Sequence, residues 1–177
     1  FIRLNKISEY NFFFNDFVGN ILLAWSRAAE NKQDESLDFL KKIPKSYNHL
    51  TRIQNAFLGC YFNDQETLKN FKEIINDNNY NFSRYNFFLI NYLVHNNSLK
   101  DIDNILQEGR KENYSNLLIK QTERFFYNKE NQKIKNFFNC KNPNDSLAEF
   151  FYTIANLYAS ERDYRLSNFY LKISLFL

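Results

Sequence analysis

The feature that most constrains this chain is the spacing of its apolar residues, three and four positions apart between short polar breaks. Such spacing places the apolar side chains on one face of an amphipathic helix. Glycine and proline number only 3 and 2 among the 177 residues. No segment keeps the alternating pattern of a strand beyond a few residues. The sequence therefore predicts an all-α fold without a sheet.

A repeat underlies this helical pattern. The residues that open every second predicted helix are small or medium in size and stand 31, 35, 32 and 33 positions apart. A large apolar residue follows each of them four positions later, on the same helix face. The pattern predicts about five helix-turn-helix units. The opening residues are Ser36, Thr67, Ile102, Ile134 and Ser167, and the large ones are Leu40, Phe71, Leu106, Phe138 and Leu171.

The most complete unit is the last, residues 146–177. Its pattern combines Phe151, Ile154, Ala155 and Tyr158 on one predicted helix with Ser167, Leu171 and Ser174 on the next. This combination resembles a tetratricopeptide repeat, whose period is ~34 residues. In residues 148–155 and 167–177 the chain is similar to the central part of poorly characterised alphaproteobacterial tetratricopeptide-repeat proteins. The resemblance implies a right-handed superhelical α-α solenoid of about five degenerate hairpins, with residues 1–177 as a single domain.

Two segments depart from the family pattern. Thr51, Gln54 and Asn55 stand where the family places large and small apolar residues. Residues 133–140 are few and run into a polar stretch, so we expect one or two helical turns there, or irregular chain. At the start of the last unit, Ser146 and Glu149 have the spacing of a capping box, in which hydroxyl and carboxylate each accept from a free amide.

Constellations for catalysis or metal binding are missing from the sequence. Gly19, Gly59 and Gly109 are isolated from one another, so no phosphate-cradling loop is present. Neither His49 nor His95 has a second ligand-type residue three or four positions later. We therefore expect no enzymatic activity, no cofactor and no metal.

Cysteine usage and charge limit the kinds of ligand and partner that this chain is expected to bind. Cys60 and Cys140 are 80 positions apart and belong to no metal-binding motif, so they are predicted to be two free buried thiols rather than a disulfide or a metal pair. The 23 basic and 20 acidic residues are well mixed, unlike the concentrated basic face of nucleic-acid binders. No apolar run approaches the ~18 residues of a membrane span. A protein or peptide partner is the remaining expectation.

The resemblance also implies where a partner binds, namely a concave surface lined by the first helix of each pair. Family members often use an asparagine there to bond the backbone of a peptide, and Asn91 and Asn156 take that place. Solvated surface asparagine is the alternative. Some members clamp a peptide carboxylate with a lysine one turn earlier, but Phe87 and Tyr152 stand there, so no carboxylate recognition is predicted. The residues predicted to face inward are Arg52, Arg84, Phe87, Asn91, His95, Lys120, Glu123, Tyr127, Tyr152 and Asn156.

Adjacent aromatic residues, such as Phe87-Phe88 and Phe150-Phe151, have two interpretations. Neighbours on a helix point about 100° apart, so one ring packs in the core and the other either contacts the next repeat or lines a binding groove.

The expected function is a protein-interaction scaffold. The alternatives are a structural, spacer or self-associating segment of a larger protein, or the non-catalytic repeat region of an enzyme such as a glycosyltransferase. The chain starts at Phe1 and stops within an apolar helix, so we expect it to be part of a longer protein. The sequence does not distinguish a cytoplasmic from a periplasmic location. We also expect the last helix to expose five apolar residues and to form a homo-oligomer through them. These residues are Phe169, Ile173, Leu175, Phe176 and Leu177.

Overall fold

The computed structural model of this protein describes residues 16–77, 84–112 and 116–177, and in that part the backbone forms ten α-helices and no strand. The prediction of an all-helical chain is confirmed for these residues. A short 3₁₀ turn, Lys45–Tyr47, precedes the third helix. The helices are α1 (Asp16–Ala29), α2 (Gln33–Lys41), α3 (Asn48–Phe62), α4 (Thr67–Ile75), α5 (Tyr85–His95), α6 (Ile102–Glu112), α7 (Leu117–Tyr127), α8 (Asn131–Phe137), α9 (Pro143–Ser160) and α10 (Tyr164–Phe176).

A left-handed residue follows every odd-numbered helix. Among the described residues, five other than glycine have positive φ, from 53° to 64°. After α1 the amide of Lys32 donates to the carbonyl of Arg27 at 3.0 Å and that of Asn31 donates to Ala28 at 2.8 Å, which is a Schellman motif. Bonds of the same spacing follow α5, α7 and α9. A left-handed residue thus recurs every 32 to 34 residues, at Asn31, Asn63, Asn97, Lys129 and Arg162.

The small residues of the repeat lie inside the structure. The Ser36 hydroxyl donates to the carbonyl of Ala24 on α1 at 2.8 Å, a bond that requires α1 and α2 to run close together. Ser167 is half-buried. The remaining four residues that open the second helix of a pair have no exposed surface. They are Ser36, Thr67, Ile102 and Ile134. The structure pairs α1 with α2 as the repeat predicts, while superhelical stacking stays a prediction.

The described helices form two compact units. Unit 1 contains α1–α3, α9 and α10, and unit 2 contains α4–α8. In unit 1, α9 packs against α1 and α3, which lie far earlier in the sequence. Phe150 meets Phe17 edge-on at 5.6 Å, and Phe17 stacks on Tyr47 at 4.4 Å. Trp25 of α1 donates its indole N–H to the Gln54 side chain of α3 at 2.8 Å. A linear solenoid joins only successive repeats, so unit 1 is not a simple stack of neighbours.

A disulfide between Cys60 and Cys140 joins the last turn of α3 to the segment before α9, within unit 1. The two Cα atoms are 5.9 Å apart, an ordinary disulfide separation. The prediction of two free thiols is wrong, because the fold brings together residues that are 80 positions apart. Next to the disulfide, the Lys141 ammonium donates to the carbonyls of Cys60 and Tyr61 at 2.6 and 2.7 Å. It satisfies carbonyls that the end of α3 leaves without helical donors.

Unit 2 is built around α5, which contacts α4, α6, α7 and α8. Nine of the eleven residues of α5 are therefore buried. Both Phe87 and Phe88 are among them, and Phe88 meets Phe138 edge-on at 4.8 Å. Phe150 and Phe151 of unit 1 are equally buried, so the packing interpretation holds for both aromatic pairs. The segment predicted to hold one or two turns forms α8, with seven residues.

Helix α9 begins earlier than predicted. Asn142 is its N-cap and accepts the amide of Asn144 at 3.2 Å, while Pro143 takes the first helical position. Ser146 consequently lies inside the helix, fully buried, and its hydroxyl has no hydrogen-bond partner in the described part of the chain. The predicted capping box is wrong because the Asn-Pro pair starts the helix one turn before it.

Helices α9 and α10 form an extensively packed hairpin at the end of unit 1. The Ser174 hydroxyl donates to the Ala148 carbonyl at 2.7 Å, as expected where two helix backbones approach. The Tyr170 ring stacks on both Phe151 and Tyr158, with centroid distances of 5.9 and 5.5 Å. These contacts fix which face of α10 turns toward α9.

Candidate protein-binding site

A groove in unit 1 lies between the end of α2 and the start of α3. Its volume is about 360 Å³, at the lower end of the range for binding pockets. Leu40 and Ile43 are its most deeply buried residues. The apolar lining residues are Leu37, Leu40, Ile43 and Pro44, and the polar ones are Lys41, Lys45, Asn48, Thr51 and Asn55.

The local sequence explains this groove. Pro44 cannot continue α2, because it lacks an amide hydrogen and clashes with the preceding turn. The chain then makes the 3₁₀ turn before α3 starts at Asn48. Thr51 and Asn55 follow at positions three and seven, on the same helix face. The polar residues that departed from the family pattern thus have places in the fold: Thr51 and Asn55 line the groove, and Gln54 is buried against α1.

Electrostatically the groove is basic. Its nine described lining residues include two lysines and no carboxylate. Lys41 donates to Asp38 at 2.8 Å on the exposed side of α2, and this bond lowers the pKa of Asp38 and raises that of Lys41. Burial lowers the pKa of His49, the neighbour of Asn48. Because Lys41 is already paired with Asp38, Lys45 is the lining residue that favours an acidic ligand over a basic one.

Three of the residues predicted from the family register belong to unit 1. Arg52 lies on α3 next to Thr51, and its side chain is half-buried. Tyr152 is half-buried on α9, and Asn156 is exposed one turn later. The Asn156 amide donates to the Tyr152 carbonyl at 2.8 Å, a bond within its own helix. Helices α3 and α9 contact each other, so Arg52, Tyr152 and Asn156 lie on two helices that pack together.

The predicted residues on or beside α5 are more deeply buried than those of unit 1. Phe87 and Asn91 are 3% and 2% exposed, so they do not line an accessible surface, and that part of the prediction is corrected. The Asn91 amide donates to the carbonyls of Ile134 and Phe138 at 2.8 and 2.9 Å. The Asn91 side chain therefore hydrogen-bonds the end of α8 and not the backbone of a bound peptide. Arg84 and His95 are half-buried at the two ends of α5.

The remaining predicted residues lie on α7, which contacts α5 within unit 2. Lys120 is exposed and Glu123 is half-buried. Tyr127 is half exposed, and its hydroxyl donates to the Asp103 carboxylate of α6 at 2.6 Å. Whether these residues bind a partner stays a prediction.

Comparison with protein-family models, with curated proteins and with solved structures found no match to this chain. The tetratricopeptide resemblance accordingly depends on the residues and turns described above. Within the described ranges no three His, Cys, Asp or Glu side chains are grouped so as to hold a metal ion. No helix in the same residues has the length and apolar character needed to cross a membrane.

Proposed function

We propose that this protein is a non-catalytic interaction module of the tetratricopeptide type, which binds a segment of a partner protein on the face lined by the first helices of its helical pairs. Because α9 contacts α1 and α3, the proposal does not require the pairs of unit 1 to be stacked in simple succession. Two features support the proposal. The left-handed turns recur at 32 to 34 residues, close to the ~34-residue period of that family. Four of the five residues that open the second helix of each pair are fully buried, and two of these, Ser36 and Thr67, are small.

The groove between α2 and α3 is the single observation that carries the binding role. Its lining residue Thr51 is the sequence neighbour of Arg52, which the family register places on the concave face. Its apolar part can accept an aliphatic or aromatic side chain, and the amides of Asn48 and Asn55 can bond the backbone of an extended segment. Lys45 favours a carboxylate nearby. The expected ligand is a segment that presents an apolar residue next to an acidic one.

Selection of random peptides displayed on phage against the intact protein tests this function. Selected peptides should share the apolar-acidic pattern. Asn55→Trp, which fills the groove, should weaken their binding roughly tenfold or more, or about 1.4 kcal/mol. Gln33→Trp is the matched control, because it adds the same side chain at the exposed start of α2, outside the groove. Peptides that bind Asn55→Trp and the wild type equally would remove the groove as the site.

The disulfide favours an oxidising compartment, since such bonds seldom persist where glutathione keeps thiols reduced. Of the two compartments left open by the sequence, we propose the periplasm. A mass-spectrometric thiol count on protein taken from its native cells is expected to show Cys60 and Cys140 oxidised; a fully reduced pair would contradict the assignment.

A further inference from the structure

Helix α3 is held in unit 1 differently from the other described helices of that unit. Helix α1 pairs with α2, and α9 pairs with α10, each as an extensive hairpin of neighbours in sequence. Helix α3 contacts α1, α2 and α9, but none of these contacts is as extensive as either hairpin. The position of α3 therefore depends more than that of the other helices on individual bonds to its neighbours.

Several such bonds lie in the second half of α3. The Gln54 side chain accepts the indole N–H of Trp25 on α1 at 2.8 Å. At the last turn, Cys60 is bonded to Cys140 of the segment before α9. Lys141 also donates to the Cys60 carbonyl at 2.6 Å. Of these links only the disulfide is covalent, and a reductant breaks it without a substitution.

The first half of the same helix forms one wall of the groove. Asn48, Thr51 and Asn55 line it, together with Leu40 of α2. Asn55 precedes Cys60 by only about 7.5 Å along a helix. A helix transmits a displacement over such a distance, because its backbone hydrogen bonds keep successive turns in fixed register. The groove is therefore sensitive to how the last turn of α3 is held.

On the basis of the binding function proposed above, we infer that the Cys60–Cys140 disulfide and the groove are coupled, so that the oxidised protein binds the partner segment more tightly than the reduced protein does. With the bond intact, α3 is held beside α2 in the geometry that binds. After reduction that geometry is only part of the populated ensemble, and the affinity falls in proportion to the fraction that remains.

A dithiol reductant supplies the electrons for this change. One of its thiolates attacks one cysteine Sγ, which breaks the Sγ–Sγ bond and releases the other cysteine as a thiolate. The second thiolate then attacks the mixed disulfide, so the reductant leaves as a cyclic disulfide. Two electrons pass to the cysteine pair, and the two protons lost by the dithiol complete the thiols. Because coupling is reciprocal, a bound peptide stabilises the disulfide against reduction by the same factor.

Amide NMR spectra of the intact, native protein test the structural part of the proposal without a ligand. Recorded with and without a dithiol at about 15 °C, where domains are near their greatest stability, the spectra compare two folded states. On reduction the Thr51 and Asn55 amides should shift or broaden, while the Tyr170 amide on α10 should not change. Changes confined to the immediate neighbours of the two cysteines, or a reduced protein that is unfolded, would overturn the proposal.

Peptide binding tests the coupling itself. The probe is a phage-selected peptide whose binding to the oxidised protein is weakened by Asn55→Trp. Its dissociation constant, measured by calorimetry, should rise roughly five- to twentyfold when the dithiol is present. Saturating peptide should in turn lower the midpoint potential of the cysteine pair by about 20–40 mV, since a tenfold change corresponds to about 30 mV for two electrons.

Two variants control for other effects of the reductant. The double variant Cys60→Ala, Cys140→Ala should bind the peptide like the reduced wild type and should not respond to the dithiol. Ala155→Leu destabilises unit 1 by overpacking α9 but leaves the disulfide intact, so it should change the dissociation constant less than roughly twofold. An equal loss of affinity in Ala155→Leu would overturn the proposal, because general destabilisation would then account for the loss.

Two outcomes separate the coupling from the proposed function. If no selected peptide depends on Asn55, the groove is not the binding site, and the function and the coupling are both refuted. A peptide that depends on Asn55 yet binds the oxidised and reduced proteins equally would refute the coupling alone.

Discussion

Removing the Cys60–Cys140 disulfide should strongly destabilise unit 1. The bond joins the end of α3 to the segment before α9, across 80 positions of sequence. Those positions include the whole of unit 2. In the unfolded chain the disulfide therefore closes a long loop, and its main effect is to limit the conformations of that state.

The loop length sets the magnitude. For 80 residues the chain-entropy relation gives about 4.5 kcal/mol at 25 °C. This is a large share of the ~5–15 kcal/mol by which domains of ordinary size are stable. For a chain of this length each kcal/mol corresponds to roughly 2–4 °C in the thermal midpoint. Reduction should thus lower the midpoint by roughly 9–18 °C.

Tryptophan fluorescence provides a readout specific to unit 1. Trp25 is the only tryptophan of the sequence. It is buried in the core, and its ring meets Tyr61, the neighbour of Cys60, edge-on at 5.9 Å. Urea unfolding followed by this signal, with and without a reductant that does not absorb, gives the difference in free energy. The double variant Cys60→Ala, Cys140→Ala should unfold like the reduced wild type and should not respond to the reductant.

A loss below about 1 kcal/mol on reduction would refute this reasoning. It would mean either that the reduced, unfolded chain is already compact across the loop or that the two cysteines are not bonded in solution. A thiol count before unfolding separates these outcomes.

Asn91→Leu should lower the free energy of unfolding by about 2–4 kcal/mol, because two buried carbonyls at the end of α8 lose their donor; a change below ~1 kcal/mol in urea unfolding would mean that they find another. Arg162→Gly should stabilise the chain by about 0.5–1 kcal/mol, since φ is 64° there and glycine adopts that conformation without strain. Ala159→Gly, inside α9, is its control and should destabilise by about 1 kcal/mol, so a shared sign would contradict the turn geometry. Ala155→Leu should cost ~1–3 kcal/mol by overpacking, several times the cost of Ala159→Leu, because Ala155 is 3% exposed and Ala159 is half-buried; equal shifts in thermal midpoint would show that the helix register is misassigned.

The helical pattern was readable because it is local. Ser36, Thr67, Ile102 and Ile134 were singled out by spacing alone, and all four are fully buried in the structure. The shortness of α8 was visible for the same reason, since a polar stretch follows Phe138 directly. The left-handed turns were not foreseen, although asparagine at positions 31, 63 and 97 is a signal for them, because asparagine adopts that conformation more readily than most residues.

Spacing could not show which helix faces are covered. Asn91 fits the position of a peptide-binding asparagine, yet α8 lies over it and takes both of its hydrogen bonds. Ser146 fits a capping box, yet Asn142 and Pro143 start the helix before it. In both cases the residue type allows two roles, and a neighbour outside the local pattern selects one.

By itself, the sequence determined that the described chain is helical and that its paired helices follow one another at nearly constant intervals. Helical hydrogen bonds and the Schellman turns link residues no more than five positions apart, so the relevant partners are all present in a short segment. Only the tertiary structure decided that Cys60 meets Cys140, that α9 packs on α1 and α3, and that a groove opens beside Thr51. Contacts across such distances in sequence require ordering of the intervening chain, and the free energy that offsets this cost comes from the packing of a whole unit.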